Sequence, residues 1–564
     1  MNKRNFLKSV AALGGSALLP SSLNPLAMYK TASAAVNYSG ATVVAPSVMP
    51  QVINIFLYGG PSELSGNLSN IVDINNNSQN SYDTAFGNNI LSFDTTGDGS
   101  AGFITKNGFW RGTQRTPAQG DTHLDINGAG GRAMQYMLDK GHMSVYRTLF
   151  KELDGTRSHR ESLLQSFKGS LDIEGSPGVG TRIAATLFQH RGLYENNTQL
   201  ADGTMFGDIV NDLLLPFVSF EGDTRAYQQD PDFQVPLLMR GLTLDQNFRN
   251  PYSRGNVPSS DADIEALAAA MRTAEYDARY SGTANSFDLR EFLESKINGI
   301  QAANSTDLPI IDPSDPDAAS DAASLGLGDP SLSVVRVAYP NNNQYTSRVR
   351  AAVTLALVNP SSIYITVGGG LGGWDDHNNG IDSYRNRMNA LMEVMKAAML
   401  HIKYADASKN GGAFKTLPPD PSTPGNTRTT NNIVINMAGD FGRRVNLNGN
   451  QGWDHGNNQN LFTFGGAGVI SEASGRANRQ LGKVVGTTVR VGDPGTNNQV
   501  TEPAPGSYKA EPMSVAATVY SYFGVQNPDV LTRDDELNPL GVPAIDETQA
   551  GEPAEAGIPS PLVS

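Results

Sequence analysis

The chain has 564 residues, is 39% hydrophobic and 17% charged, and carries a net charge of -14. That acidity argues against nucleic acid or an anionic membrane surface as its main partner. With no cysteine, disulfides, thiolate metal sites and cysteine nucleophiles are excluded together, so any metal must be held by histidine and carboxylate.

The first stretch, "MNKRNFLKSVAALGGSALLP", has a basic start and then an apolar run, and "ASA" at Ala32–Ala34 is a small-residue cleavage site. "NKRNFLK" resembles a twin-arginine export signal, with Lys3 where the first arginine is expected. Residues 1–34 are therefore read as an export signal and 35–564 as the mature chain, in the periplasm or outside the cell. The apolar run is broken by Gly14, Gly15 and Pro20, and no later stretch approaches the roughly 20 apolar residues that span a bilayer. No transmembrane segment is expected in the mature chain.

"QVINIFLYGG" (51–60) reads as a buried strand running into a glycine turn. A polar insertion is expected at about 65–130 and a second at about 195–335. "GGRAMQYMLDKGHMSVYRTLF" predicts a short helix, a stop at Gly141 and a strand. "RSHRESLLQSFKG" (157–169) predicts a helix capped by Ser158, with Glu161 at the capping-box offset and Gly169 at its end. "VGTRIAATLFQ" is a further helix and "LPFVSFEG" a strand. Residues 260–300 are helical in composition, and the acidic, proline-punctuated 305–331 reads as a loop or linker.

"YTSRVRAAVTLALVN" is a helix and "IYITVGGG" a strand leading into "GGWDDHNNG". In the helix that follows, Met388, Leu391, Met395, Met399 and Ile402 define one apolar face, which makes those methionines core residues. "NNIVINMAGDFGRR" is a strand ending in an acidic residue, and "MSVAATVYSYFGV" (513–525) a late helix. Strands alternating with helices predict one α/β domain with a doubly wound, mainly parallel sheet and helices on both faces. Such sheets bind ligands beyond the carboxyl ends of their strands.

Four clusters carry candidate chemistry. The Gly59–Gly60 pair is either an anion-approaching turn or a plain tight turn. Ser158 at a helix N-terminus is either a nucleophile in the field of the helix dipole, with His159 and Arg160 beside it, or a simple cap. Asp375, Asp376 and His377 follow one strand, and Asp440 and the Asp454–His455 pair follow another. Imidazole with carboxylate suits zinc, manganese, iron or calcium. His159, His377 and His455, three of seven histidines, lie in these glycine-rich acidic contexts, and His123, His142, His190 and His401 are expected elsewhere. "DTTGDGSAGF" (94–103) reads as a Gly-Asp turn rather than a calcium loop, because Thr96 and Thr105 replace ligand carboxylates.

"GGPSEL", "RSHRESLLQSFKG", "GGWDDH", "GDFGRR", "GWDHG", "FGGAGV" and "AATVYSYFGV" follow one another as in an exported bacterial family known as domain of unknown function 1501, which the chain resembles over nearly its whole mature length. That family in turn is similar to the alkaline phosphatase and sulfatase superfamily. The resemblance implies an alkaline phosphatase-like fold and a metal-assisted site for a phosphate or sulfate ester. It implies Ser158 as nucleophile, Asp375, His377, Asp440 and His455 as metal ligands, and Arg157, Arg160 or Arg443 on the ester oxygens, beside Gly59 and Gly60. Two departures follow. Phe441 stands where the superfamily has a histidine ligand, and Ser65, with Glu63 nearby, stands where relatives carry an aspartate. The expectation is thus at most one divalent metal (zinc, manganese or calcium) and an anionic small-molecule ester as substrate. The alternative is a non-catalytic exported protein that binds an envelope component.

Overall fold

The computed structural model describes residues 36–61, 130–248 and 308–551, except 212, 222, 223, 237, 238, 341, 342, 369–372, 379, 407–427, 449, 451, 472–476, 493–499, 535 and 536. The signal segment, the 94–103 turn, His123, Glu63, Ser65 and the 260–300 helices lie outside the described residues.

Strand β1 (Gln51–Leu57) is followed by helix α1 (Gly131–Asp139), β2 (Met143–Phe150), α2 (His159–Lys168), α3 (Val179–Gln189), α4 (Arg191–Asn197) and α5 (Phe206–Ile209). Next come β3 (Phe217–Ser219), β4 (Leu242–Thr243), α6 (Ala318–Ser324), α7 (Gln344–Val358), β5 (Tyr364–Gly368) and α8 (Gly380–Ala405). The remainder holds β6 (Ile433–Gly439), β7 (Gly442–Leu447), β8 (Trp453–Gly456), β9 (Asn458–Gly465), β10 (Ile470–Ser471), β11 (Ala477–Asn478), β12 (Val484–Val485), β13 (Thr488–Val491), β14 (Val500–Pro503) and α9 (Ser514–Tyr522).

Eight strands form one sheet in the order β12-β2-β9-β6-β1-β5-β3-β4. β1 pairs parallel with both β5 and β6, and β3 pairs parallel with β5 and β4. β9 alone of these eight runs against its neighbours, β2 and β6. "NQNLFTFG" is not among the strands expected from the sequence, and its antiparallel course is set by its partners β2 and β6. The sheet is therefore mixed α/β and mostly parallel.

Alternation along the strands builds two cores. Ile53, Ile55, Leu57, Ile365, Val367, Ile435 and Met437 face α1, α7 and α8. Val52, Phe56, Tyr364 and Val434 face the opposite way, with Phe167 of α2, Ile183 of α3 and Tyr520 of α9. Helices thus cover both faces, as parallel strands buried on two sides require. The five apolar-face residues predicted in α8 are all buried.

Two expectations are corrected. The 195–335 region is not wholly an insertion, since β3 and β4 belong to the main sheet and Phe217 and Val218 are buried in it. Nor is 308–331 a simple loop. α6 lies within it, Ile311, Ala318 and Ala322 pack on Leu400 and Tyr404 of α8, and Lys403 Nζ meets Asp321 at 2.7 Å and Asp315 at 3.0 Å. The acidity that looked like a linker's is matched by a lysine far along the chain. Among the described residues, no helix is long and apolar enough to cross a membrane.

Candidate metal centre

The site forms where β1, β5 and β6 end. β1 runs into Gly59 and Gly60, β5 is followed by the segment carrying Trp374–His377, and β6 ends at Asp440. The β7–β8 hairpin then brings Arg443 opposite His455. α2 adds His159 in its first turn. Ser158 is the N-cap of that helix, its hydroxyl accepting from Glu161 N at 3.5 Å, and Gly169 closes it in the left-handed conformation. The predicted reciprocal box is incomplete, because Glu161 bonds Thr156 Oγ1 at 2.5 Å instead of the Ser158 N–H.

Three histidines converge on one carboxylate oxygen. Asp375 Oδ1 lies 3.3 Å from His159 Nε2, 3.0 Å from His377 Nε2 and 3.5 Å from His455 Nε2. His377 Nε2 and His455 Nε2 are 3.0 Å apart. His159, Asp375 and His455 each offer one atom, all within 4.8 Å of one another, and are the group among the described residues that could hold an ion.

What lies behind each ring decides which atom faces the centre. His159 Nδ1 meets Asp440 Oδ2 at 2.6 Å, His455 Nδ1 meets the Arg157 carbonyl at 2.8 Å, and His377 Nδ1 meets Asp454 Oδ1 at 3.3 Å. Those oxygens accept, so each Nδ1 donates, and in the neutral form of a ring its Nε2 lone pair is the one left facing the centre. Three lone pairs and a carboxylate oxygen then meet at one point. Arg443 already donates to Asp375 Oδ1 at 2.7 Å and approaches His377 Nε2 at 3.5 Å; a divalent cation or a ring proton would relieve the repulsion left among the nitrogens. The Asp375–nitrogen distances are also close to the edge of a tetrahedron around zinc, about 3.3 Å for bonds near 2.0–2.1 Å.

The titrating groups register the same arrangement. The Asp440 hydrogen bond raises the His159 pKa against the effect of burial. Burial, followed by the charge of Arg443, lowers that of His455. Burial works to raise Asp375, but the hydrogen bond and charge of Arg443 outweigh it and hold the carboxyl below the usual range.

Asp440 is 2% exposed and accepts from Gly59 N at 3.3 Å and Phe441 N at 3.1 Å. It backs His159 and is not in the converging group. Phe441, where the resemblance called for a ligand, packs its ring against His159 and His455 at 4.5 and 4.4 Å between centroids. Arg443 is 1% exposed and donates to the carbonyls of Gly59, Gly60, Trp374 and Trp453 and to Asp375. No donor remains for a substrate oxygen, so Arg443 braces the site from beneath. Arg160 pairs with Glu174 on the exposed surface. Arg157 bonds Asn457 Oδ1 at 2.8 Å through Nε, and its pKa is lowered by burial and by the nearby charge of Arg444.

Of the residues singled out in the sequence, the structure gathers His159, Asp375, His377 and His455 at one point, with Asp440 and Arg443 supporting them. Of the histidines expected elsewhere, the three among the described residues are elsewhere: His190 bonds the Tyr38 carbonyl, His401 meets Tyr339, and the partly buried His142 lies near Lys403. Asp454, Asn448 and Arg444 were not singled out for their roles here. Asp454 backs His377 and is itself held by Asn448 Nδ2 at 3.1 Å. Only its position beside His455 in "GWDHG" hinted at that.

The Gly59–Gly60 turn requires glycine on steric grounds. Gly60 has φ +64°, and a Cβ on it would lie 2.2 Å from Phe441 O. Gly60→Ala should therefore lower stability by about 2 kcal/mol or more, a left-handed residue alone costing about 1–2 kcal/mol. Urea denaturation measures this, and an unchanged midpoint would show that the turn relaxes freely.

These features define a mixed α/β protein with a histidine–aspartate cluster at the carboxyl edge of its sheet. No protein-family model, curated protein or solved structure matches the chain.

Proposed function

We propose that this chain is an exported, metal-dependent hydrolase of a phosphate or sulfate ester, with an alkaline phosphatase-like fold. The observation that carries the reading is the convergence of three imidazole nitrogens on Asp375 Oδ1, each ring backed by an acceptor on its far side. His159, Asp375 and His455 would hold one divalent ion, zinc fitting best, with His377 beside them. This set differs from the one the family resemblance implies, with His159 taking a ligand's place and Asp440 orienting it. A bound ion of this kind supplies Lewis acidity to an ester oxygen or lowers the pKa of a hydroxyl or water.

An anionic substrate is supported by Arg157. Among the described residues no carboxylate pairs with it, its Nη groups are free of the Asn457 bond, and the charge of Arg444 acts on it. An oxyanion meeting Arg157 would offset the like charge of Arg444, which itself lies 3.9 Å from Asp454. Ser158 occupies the position next to His159, and its long cap bond of 3.5 Å leaves the hydroxyl lightly held. In this reading Ser158 Oγ gives up its proton and attacks the phosphorus or sulfur, the bond to the ester alcohol breaks and the alcohol leaves with that proton, and water then releases phosphate or sulfate from the serine, with Arg157 binding the remaining oxygens. Export of the chain to the periplasm, read from the first 34 residues, belongs to the same proposal.

The test is hydrolysis of a phosphate and a sulfate monoester by the mature protein loaded with zinc. Ser158→Ala should abolish turnover, leave metal content unchanged and lower stability by about 1 kcal/mol as an N-cap loss. Turnover that survives Ser158→Ala would assign the attack to water. Metal binding without turnover of either ester would favour the second reading, a non-catalytic protein that binds an anionic envelope component. Phe441 favours that alternative, because its ring fills the place of a further ligand.

A further inference from the structure

β1 is bonded on one side to β5 and on the other to β6, and both sheet faces are covered by helices. All seven of its residues are buried except Asn54 at its centre, which is partly accessible. Its partial accessibility means that the helices packed over that face leave room beside it.

Asn54 is also one of a row. Along the register it pairs with Thr366 of β5 and Asn436 of β6. Thr366 pairs in turn with Ser219 of β3, Asn436 with Thr463 of β9, and Thr463 with Ser144 of β2. Six adjacent strands thus carry a polar side chain at one level. Alternation places the central members on the face of Val52, Phe56, Tyr364 and Val434, under α2, α3 and α9.

Buried polar groups need partners. At the ends of the row the protein supplies them: Ser219 Oγ accepts from Glu221 N at 3.2 Å, Ser144 Oγ accepts from Lys483 N at 3.3 Å, and Thr463 Oγ1 reaches the Ser144 carbonyl at 3.4 Å. The centre is different. Asn436 is 2% exposed, and neither its amide nitrogen nor its amide oxygen has a hydrogen-bond partner. Thr366 is 1% exposed, and its hydroxyl, near Glu221 and Tyr227, makes no well-formed bond. The unmet donors and acceptors therefore coincide with the accessible residue.

We propose that Asn54, Thr366 and Asn436 wall a buried chamber that binds ordered water on the α2 side of the central sheet. An amide offering both its donor and its acceptor selects a neutral dipolar molecule over an ion, and a buried water makes about three such bonds. Ala438, the next residue of β6 on that face, is again partly accessible, and Asp440 follows it. The chamber thus rises toward the carboxylate that holds His159. It does not depend on a metal being bound.

A high-resolution crystal structure of the metal-free protein tests this directly. Water density is expected within about 2.7–3.2 Å of both Asn436 amide atoms and of Thr366 Oγ1. Asn54 and Asn436 bonded to each other with no density between them would overturn the proposal, as would xenon occupying the space under pressure, since that marks a dry apolar cavity. Oxygen-17 relaxation dispersion should lose at least one long-lived water in Asn436→Leu, or in Thr366→Val if the first variant does not fold. An unchanged count in a folded variant would also overturn it.

Discussion

His455→Ala should reduce zinc affinity by about 100-fold or more, because in the proposed centre it removes a ligand outright, whereas loss of an outer partner typically costs 10–100-fold. The same is expected of His159→Ala. Asp440→Asn should fall in the smaller range. Its side chain backs His159 Nδ1 at 2.6 Å, and an amide turned the wrong way would face that N–H with its own donor. Titration calorimetry of the metal-free protein separates these cases, with one ion per chain expected for the wild type. If Asp440→Asn abolished binding as fully as His455→Ala, Asp440 would itself be a ligand. If the wild type bound no divalent ion, the converging histidines would be a hydrogen-bonded cluster sharing protons, and the hydrolase reading would fall with them.

Arg443→Met should destabilise the fold by roughly 3–5 kcal/mol. The guanidinium is buried and ties together four backbone carbonyls from three separate segments: Gly59 and Gly60 after β1, Trp374 after β5 and Trp453 in β8. Its 2.7 Å pair with Asp375 adds less, since that carboxylate is 46% exposed and screened by solvent. The carbonyls carry the effect, a buried one that loses its donor costing about 1–3 kcal/mol, although Trp374 O keeps the Asp376 N–H at 2.9 Å. Arg443→Lys should recover only part, because one ammonium cannot match a planar fork to several acceptors. Denaturant unfolding reads both variants. A loss below about 1 kcal/mol for Arg443→Met would mean that water replaces the guanidinium and that the residue is free for substrate after all.

The strand ends were legible because a buried parallel strand must be a continuous apolar run, and its carboxyl end shows as glycine and polar residues. "QVINIFLYGG", "IYITVGGG" and "NNIVINMAGD" therefore located β1, β5 and β6 and the residues that follow them. The α2 boundaries were legible for a local reason as well, with a capping serine at one end and a left-handed glycine at the other. The antiparallel course of β9 was not, since side-chain alternation is the same in either direction and only the partner fixes it.

The sequence by itself determined the inventory: three histidines and four aspartates in glycine-rich acidic stretches, no thiolates, and an apolar pattern that puts the strand ends on one edge. It could not assign their roles. His159 was set beside Ser158 as a catalytic residue and Asp440 among the ligands, whereas the fold turns His159 Nε2 toward Asp375 and puts Asp440 behind the ring. Arg443 was given to the substrate, and the fold gives every donor it has to the protein. Whether a side chain ligates, orients a ligand or braces a turn depends on which atom faces which across a few ångströms. Here the partners are up to 384 residues apart in the chain, so only the tertiary structure brings them within reach.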